Sequence, residues 1–294
     1  MNYSYDFLKY RKIYFFLTLF IVVFSICLLF TRGLNLGIDF VSGTRLDITF
    51  EKKVKLDNVK DFFKNAGYKT QNIRLGGKKK DVVIIRLEKK LAKEEVEKLK
   101  KVMAKKFATK VSIQEHTVDP IIGRELVKNG LFSLVIALLG IVIYVSIRFE
   151  YRYAVAVILT LLYDAIFTLG MFSLLQKEVD LVFIAAILTI VGYSVNDTIV
   201  VFDRIRENMS FRKPANWETL CDVVNKSICQ TLTRSLNTVL TVIFAALSLY
   251  FFGGESISNF SLALIFGIFS GAYSSIFVAS QIWVIWKYRH MLKS

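Results

Sequence analysis

Histidine, proline and cysteine are scarce in this chain of 294 residues, which holds two, two and three of them. The cysteines, Cys27, Cys221 and Cys229, form no CxxC pair and have no histidine nearby. An odd, unpatterned set excludes a secreted disulfide scaffold and reads as small apolar filler in a reducing compartment. GxxxxGK[ST], HExxH and GxSxG are all missing, so no soluble-enzyme constellation is present and neither a cofactor nor a metal is expected. Charge is nearly absent from six long stretches of about 18–25 residues, each long enough to cross a bilayer. The AVILMFWYC set makes up 54% of the chain, with 25 Phe. One soluble core of this size cannot hide that much apolar surface.

The six stretches are Ile13–Phe30, Leu131–Ile147, Tyr153–Leu175, Leu181–Phe202, Leu236–Phe252 and Phe260–Trp286. The first follows Lys9, Arg11 and Lys12, yet no small-residue cleavage site follows it, so it is expected to stay as an anchor. The short loops differ in Lys and Arg. Arg148 and Arg152 join the second and third spans, and residues 203–235 carry Arg204, Arg206, Arg212, Lys213, Lys226 and Arg234. Residues 176–180 carry only Lys177, and 253–259 carry none. The positive-inside rule then places both termini in the cytosol. The expected organisation is an N-terminus and first span over 1–30, an extracytoplasmic domain over 31–130, and a five-span bundle over 131–294.

The outer domain carries 24 Lys and Arg against 13 Asp and Glu. That is a solvated surface or a patch for anionic headgroups or an acidic partner. No RNA-binding signature accompanies it, so nucleic acid is not an expected partner. Its rhythm predicts strands at Arg45–Phe50, Asn72–Leu75, Val82–Leu87 and Val111–Glu115, with helices at Leu56–Ala66 and Lys93–Phe107. Gly67 ends the first helix, and Gly76-Gly77 with Lys78–Lys80 makes a hairpin turn. The β-α-β-β-α-β order is that of a ferredoxin-like split βαβ fold. The fold class is thus an α-helical polytopic membrane protein of six transmembrane helices with an α+β ferredoxin-like domain after the first. His116 is a lone histidine, read as an ordinary surface or partly packed residue rather than a ligand site.

Charge inside the apolar stretches is the candidate chemistry. Asp164 lies in the middle of the third span, Asp197 inside the fourth, and Arg234 at the start of the fifth. A charge at the bilayer centre costs at least ~2.5–3.5 kcal/mol, so such groups pair or titrate and face a bundle interior. The fourth and fifth spans run antiparallel, which puts Asp197 and Arg234 at similar depth. Tyr193 and Asn196 stand beside Asp197, and Thr231, Thr238 and Thr241 share a helix face with Arg234. A proton relay through this acid and base, and a static ion pair fixing two helices, are both open readings. Asp164 is either part of the relay or a protonated carboxyl bonded to a neighbouring helix.

Ala263, Gly267, Gly271, Ser275 and Ala279 recur every four residues in the sixth span, a small-residue ridge for close helix packing with a partner in this chain or another. Between the fourth and fifth spans, Asn216 caps an amphipathic helix over 216–230 that is expected to lie on the membrane surface.

Gly37-Ile-Asp39-Phe40 followed by Ser42-Gly43-Thr44 resembles the GxDFxGG signature of the SecD/SecF accessory subunits of the bacterial Sec translocase. Val191–Asn208, Thr231–Thr238 and Ser270–Ala279 are similar to later motifs of that family, and the six spans with one large loop after the first fit the whole chain. Ser42, Val239 and Ala272 depart from its usual Gly, Ser and Thr. The resemblance implies kinship with RND transporters and a pseudo-symmetric twelve-span pair with a SecD-like subunit. It implies use of the proton motive force to promote translocation across the cytoplasmic membrane after the ATP-driven step, with Asp197 and Arg234 as the intramembrane acid and base. The partners implied are the SecD-like subunit, the SecYEG channel, YajC, an unfolded secreted polypeptide and the lipid bilayer. Half of an RND-type exporter of small molecules or lipids is a second reading, against which the outer domain of about 100 residues is small. A passive translocase scaffold is a third.

Overall fold

The computed structural model describes residues 6–292 apart from 42, 52–55, 69, 77–81, 88–90, 108 and 213. The elements are α1 (Arg11–Arg32), β1 (Asn35–Leu36), α2 (Ile38–Val41), β2 (Gly43–Phe50), α3 (Leu56–Asn65), β3 (Thr70–Gly76), β4 (Val82–Leu87), α4 (Lys93–Phe107) and β5 (Val111–Val118). They continue with α5 (Pro120–Arg148), α6 (Tyr151–Leu175), β6 (Glu178–Val179), α7 (Leu181–Phe211), α8 (Trp217–Phe252), α9 (Glu255–Ser274), a π-helical turn (Ser275–Ala279) and α10 (Ser280–Met291). Two compact units result. One is Leu36–Leu131 with Val179–Leu181, and the other comprises Met1–Asn35, Phe132–Glu178 and Val182–Ser294.

The first unit is an α+β domain. Its four-stranded sheet runs β3-β4-β2-β5 with every pairing antiparallel, the strand order of the ferredoxin-like fold. Alternation along the strands turns Leu46, Ile48 and Phe50 of β2 and Val83, Ile85 and Leu87 of β4 to one face. Val59, Phe62 and Phe63 of α3 and Val96, Leu99 and Met103 of α4 close over that face. Each such side chain contributes about 1.5–3 kcal/mol when fully buried. The helix ends follow local chemistry. Glu95 Oε2 accepts from Ala92 N (3.1 Å) at the start of α4, whose last turn carries Lys105 and Lys106. Gly67 stops α3 at φ +77°, a conformation few side chains tolerate.

Strand ends differ from the expectation. β2 begins at Gly43 and β5 runs to Val118, because Gly43↔Val118, Thr44↔Thr117 and Arg45↔His116 add three rungs to the ladder. His116 therefore sits within a strand, exposed. β3 is longer than expected and irregular between Thr70 and Asn72. The expected turn at Gly77–Lys80 lies outside the described residues.

The second unit is helical, and among the described residues six helical segments are long and apolar enough to cross a membrane: Arg11–Arg32, Ile121–Arg148, Tyr151–Leu175, Leu181–Phe211, Trp217–Phe252 and Ser256–Met291. Three start or end well beyond the apolar run: α5, α7 and α8. α5 begins at Pro120, a residue suited to the first helical position, and Asp119 Oδ1 accepts from Ile121 N (3.1 Å). α7 runs on to Phe211, where Asn208 Nδ2 donates to Ser227 Oγ and Gln230 Oε1 of α8, both at 2.8 Å.

The amphipathic segment after Asn216 is not a separate helix on the membrane surface. It is the first half of a single 36-residue helix, α8. Asn216 and Thr219 form a reciprocal capping box there. Leu220, Val224 and Ile228 are buried inside the protein, which removes the apolar face that a lipid surface would need. The chain's first described residues pack on the same half of α8: Asn225 Nδ2 donates to Asp6 Oδ1 (2.5 Å), and Phe7 and Leu8 are buried.

Small residues set the closest helix contacts. Gly170 of α6 meets Ser25 of α1, so a side chain there would collide. The five ridge residues of the last span are all buried. Gly267 lies against Ile190 and Gly271 against Ser194, which places the ridge's partner, α7, in this chain.

Candidate functional site

Two intramembrane carboxylates occupy different surroundings. Asp164, on α6, is 1% exposed. Three serine hydroxyls converge on it from two other helices. Ser194 Oγ of α7 (2.6 Å) and Ser274 Oγ of α9 (3.0 Å) donate to Oδ2, and Ser270 Oγ of α9 (2.5 Å) donates to Oδ1. Ser270 and Ser274 are four residues apart and so share a face of α9. Ser194 comes from the α7 face that packs on Gly271. An ionised carboxylate is an acceptor only, and three donors satisfy most of its capacity. Asp164 thus ties three helices together at one point.

Asp197, also on α7, is half-buried. Ser275 Oγ donates to its Oδ2 at 2.6 Å and also bonds Gly271 O. Ser275 opens the π-helical turn, and Ser280 Oγ at the end of that turn donates back to Ser275 O (3.1 Å). Single π turns inside α-helices are rare and recur at functional sites. Asp197 also borders a cavity of about 20 Å3, room for one water molecule, with Tyr193, Asn196, Thr238 and Gly271 among its other lining residues.

The structure therefore brings Asp197, Tyr193, Asn196 and Thr238 together. It does not bring Arg234 into ion-pair contact with Asp197: among the described residues no such pair forms, and Arg234 lies exposed on α8. The threonine face expected to hold water is engaged with its own helix. Thr231 Oγ1 donates to Ser227 O or Ile228 O (3.1 Å each), Thr238 Oγ1 to Arg234 O (3.0 Å) and Thr241 Oγ1 to Thr238 O (2.8 Å). Back-bonding of this kind is the usual resort of hydroxyls inside apolar helices. Thr231 is buried and Thr241 exposed, so the stripe does not line one channel.

The glycine motif belongs to the α+β unit. Gly37 N donates to Val179 O (2.6 Å), and the carbonyl of Gly37 accepts from Phe40 N and Val41 N to start the short α2. Asp39 Oδ2 accepts from Leu181 N (2.9 Å). Phe40 is half-buried, and Gly43 adopts φ +118°, a value that requires glycine. These residues act on backbone geometry. The serines around Asp164 are the site residues that sequence reasoning missed; the signal was the i, i+4 pair Ser270/Ser274 beside the small-residue ridge.

Fold and site together define a polytopic membrane protein with an α+β domain after its first helix and hydrogen-bonded carboxylates within its helical unit. Residues 95–289 match the family profile "Protein export membrane protein SecD/SecF, C-terminal", and residues 28–54 match the "SecD/SecF GG Motif". The chain is 42% identical over 297 residues to a protein translocase subunit SecF of Alicyclobacillus acidocaldarius, covering 100% of this chain and 96% of that one. It is 45% identical over 290 residues to a protein translocase subunit SecDF of Bacillus subtilis, of which it spans 39%. The crystal structure of SecDF from Thermus thermophilus, a translocon-associated membrane protein, superposes with a TM-score of 0.87 at 35% identity, over 97% of this chain and 39% of that one. This chain belongs to the SecD/SecF family of protein export membrane proteins.

Proposed function

We propose that the chain works as a Sec translocase subunit that, paired with a SecD-like subunit, converts the proton motive force into movement that promotes export of unfolded polypeptides. It carries out no covalent chemistry. The observation that carries this reading is the polar face on α7 and α8. Tyr193, Asn196, Arg234 and Thr241 lie exposed within apolar helices, where lipid is a poor neighbour for a guanidinium. A matching half with its own polar helices would cover that face. The chain spans about two fifths of its SecDF relative from Bacillus subtilis and 96% of its SecF relative from Alicyclobacillus acidocaldarius.

In the proposed relay, Asp197 alternates between two partners. Ionised and facing Arg234 it closes the face; protonated, it releases Arg234 and keeps its bond to Ser275. The exposed Arg234 and the hydrogen bond from Ser275 to Asp197 support a cycle in which the two side chains can part. Asp164 anchors the helices about which this change occurs. One elementary charge crossing the membrane potential yields ~2.3 kcal/mol per 100 mV, the source of the work. The remaining parts of the reading are a cytoplasmic-membrane location, both termini in the cytosol, and contact with SecYEG and YajC. Affinity purification in mild detergent tests the pairing: a SecD-like protein and the channel should copurify with the full chain. Their absence under conditions that keep the channel itself intact would contradict it.

A further inference from the structure

An apolar groove of about 760 Å3 runs along the helical unit between α1, α6 and the π turn with α10. That lies within the roughly 300–1,000 Å3 of ligand clefts. Phe16, Leu19, Leu159, Leu162, Ile166 and Ile282 line most of its length. Its two charged residues, Arg11 and Lys12, are both at the start of α1. The Arg11 guanidinium sits 4.6 Å from the Trp217 ring centroid, which holds it in place, and Lys12 is exposed.

Gln281 of α10 lines the same groove. It is 6% exposed, and its Nε2 has no hydrogen-bond partner among the described residues. The Tyr14 and Phe277 rings meet at 4.4 Å, and Gln281 is one turn beyond Phe277 while Arg11 is about one turn before Tyr14. The helices are antiparallel, so the unpartnered amide stands at the depth of the two cations.

We propose that this groove holds one anionic phospholipid. The acyl chain lies along the apolar walls and the phosphate meets Arg11 and Lys12. The Gln281 amide, turning about its broad terminal torsion, donates to an ester carbonyl oxygen. Ordinary lipid contact would need neither cations confined to one end nor a buried donor at ester depth. A partner's transmembrane helix would match the apolar walls, but its backbone acceptors are already bonded within the helix and leave Gln281 unanswered. A phospholipid supplies charge, acceptor and chain in that order along the groove.

The test uses the full chain copurified with its partner subunit and placed in nanodiscs of equal phosphatidylglycerol and phosphatidylcholine. Native mass spectrometry then counts the lipids retained on the ejected complex. One phosphatidylglycerol per chain is expected, favoured over phosphatidylcholine by roughly tenfold or more. Arg11→Gln with Lys12→Gln should erase the preference while a lipid stays bound. Leu162→Trp fills the groove from an exposed position and should eliminate retention while the complex stays assembled. Equal retention of the two lipids by the unaltered chain, or undiminished retention by Leu162→Trp, would overturn the proposal. So would a photocrosslinker at position 162 that captures the partner protein instead of lipid.

Discussion

Ser275 joins Asp197 through a 2.6 Å hydrogen bond and is also the residue at which the last membrane helix passes from α- to π-helical winding. The charge state of one side chain is thereby linked to the winding of another helix. A neutral Asp197 binds this hydroxyl more weakly than an ionised one, because charge-assisted bonds are roughly twice as strong. Protonation therefore loosens the point at which α9, the π turn and α10 meet.

Ser275→Ala removes that link and leaves Asp197 in place. A hydrogen bond to a charged group contributes about 1.5–3 kcal/mol, so a lower unfolding temperature in detergent is expected, together with reduced but not abolished export. Unchanged export and unchanged stability would show that the contact carries no coupling.

Asp164 should separate shape from charge. Asp164→Asn keeps a polar group within reach of Ser194, Ser270 and Ser274, and the chain should accumulate normally. Asp164→Leu leaves the buried Ser194 and Ser270 hydroxyls without their acceptor, at about 1–3 kcal/mol each, while Ser274 keeps the carbonyl of Gly271, and the chain should be degraded or fail to assemble. Membrane abundance and size-exclusion profiles of the two variants check this.

Gly271→Leu should be more harmful than a leucine at Gly140, where a side chain meets open space. At Gly271 an added Cβ already lies 3.2 Å from Ser194 Cβ, so a larger group pushes α7 away from α9 and strains both the Ser194–Asp164 and the Ser275–Asp197 hydrogen bonds. The expected outcome is loss of stable chain for Gly271→Leu alone, read from pulse-chase decay in membranes.

Topology is checked by thiol labelling in a variant lacking Cys27, Cys221 and Cys229. A single cysteine at position 80 should react with an impermeant reagent added to intact cells, and one at position 212 should react only after lysis. Labelling of position 212 in intact cells would invert the orientation.

Much of this architecture is legible in the residues. Uncharged runs mark the membrane helices because a bilayer admits little else, and the period-two pattern of Leu46, Ile48 and Phe50 marks a half-buried strand. The small ridge from Ala263 to Ala279 announced close packing, although only the structure supplies Ile190 and Ser194 as what it packs on. The serine cage was hidden because serine is common in apolar helices, and three serines from two helices converge on one aspartate only through packing. The positions of Asp197 and Arg234 in antiparallel spans suggest a shared depth, and the structure sets Asp197 beside Thr238, one turn along α8 from Arg234. Depth does not fix rotation about a helix axis, and Arg234 turns outward. The helix after Asn216 looked like a surface helix because amphipathicity records an apolar partner without saying whether that partner is lipid or protein.

The central claim is that protonation of Asp197 drives movement. Asp197→Asn imitates the protonated carboxyl and cannot release a proton. The decisive measurement is export of a pulse-labelled secreted protein, in cells that hold a normal membrane potential, with assembly of the complex followed in parallel. The relay predicts an assembled complex whose export falls to the level of cells lacking the chain, with Arg234→Met equally impaired and Asp164→Asn less so. Full export by cells carrying Asp197→Asn would contradict the relay and leave a passive scaffold in its place.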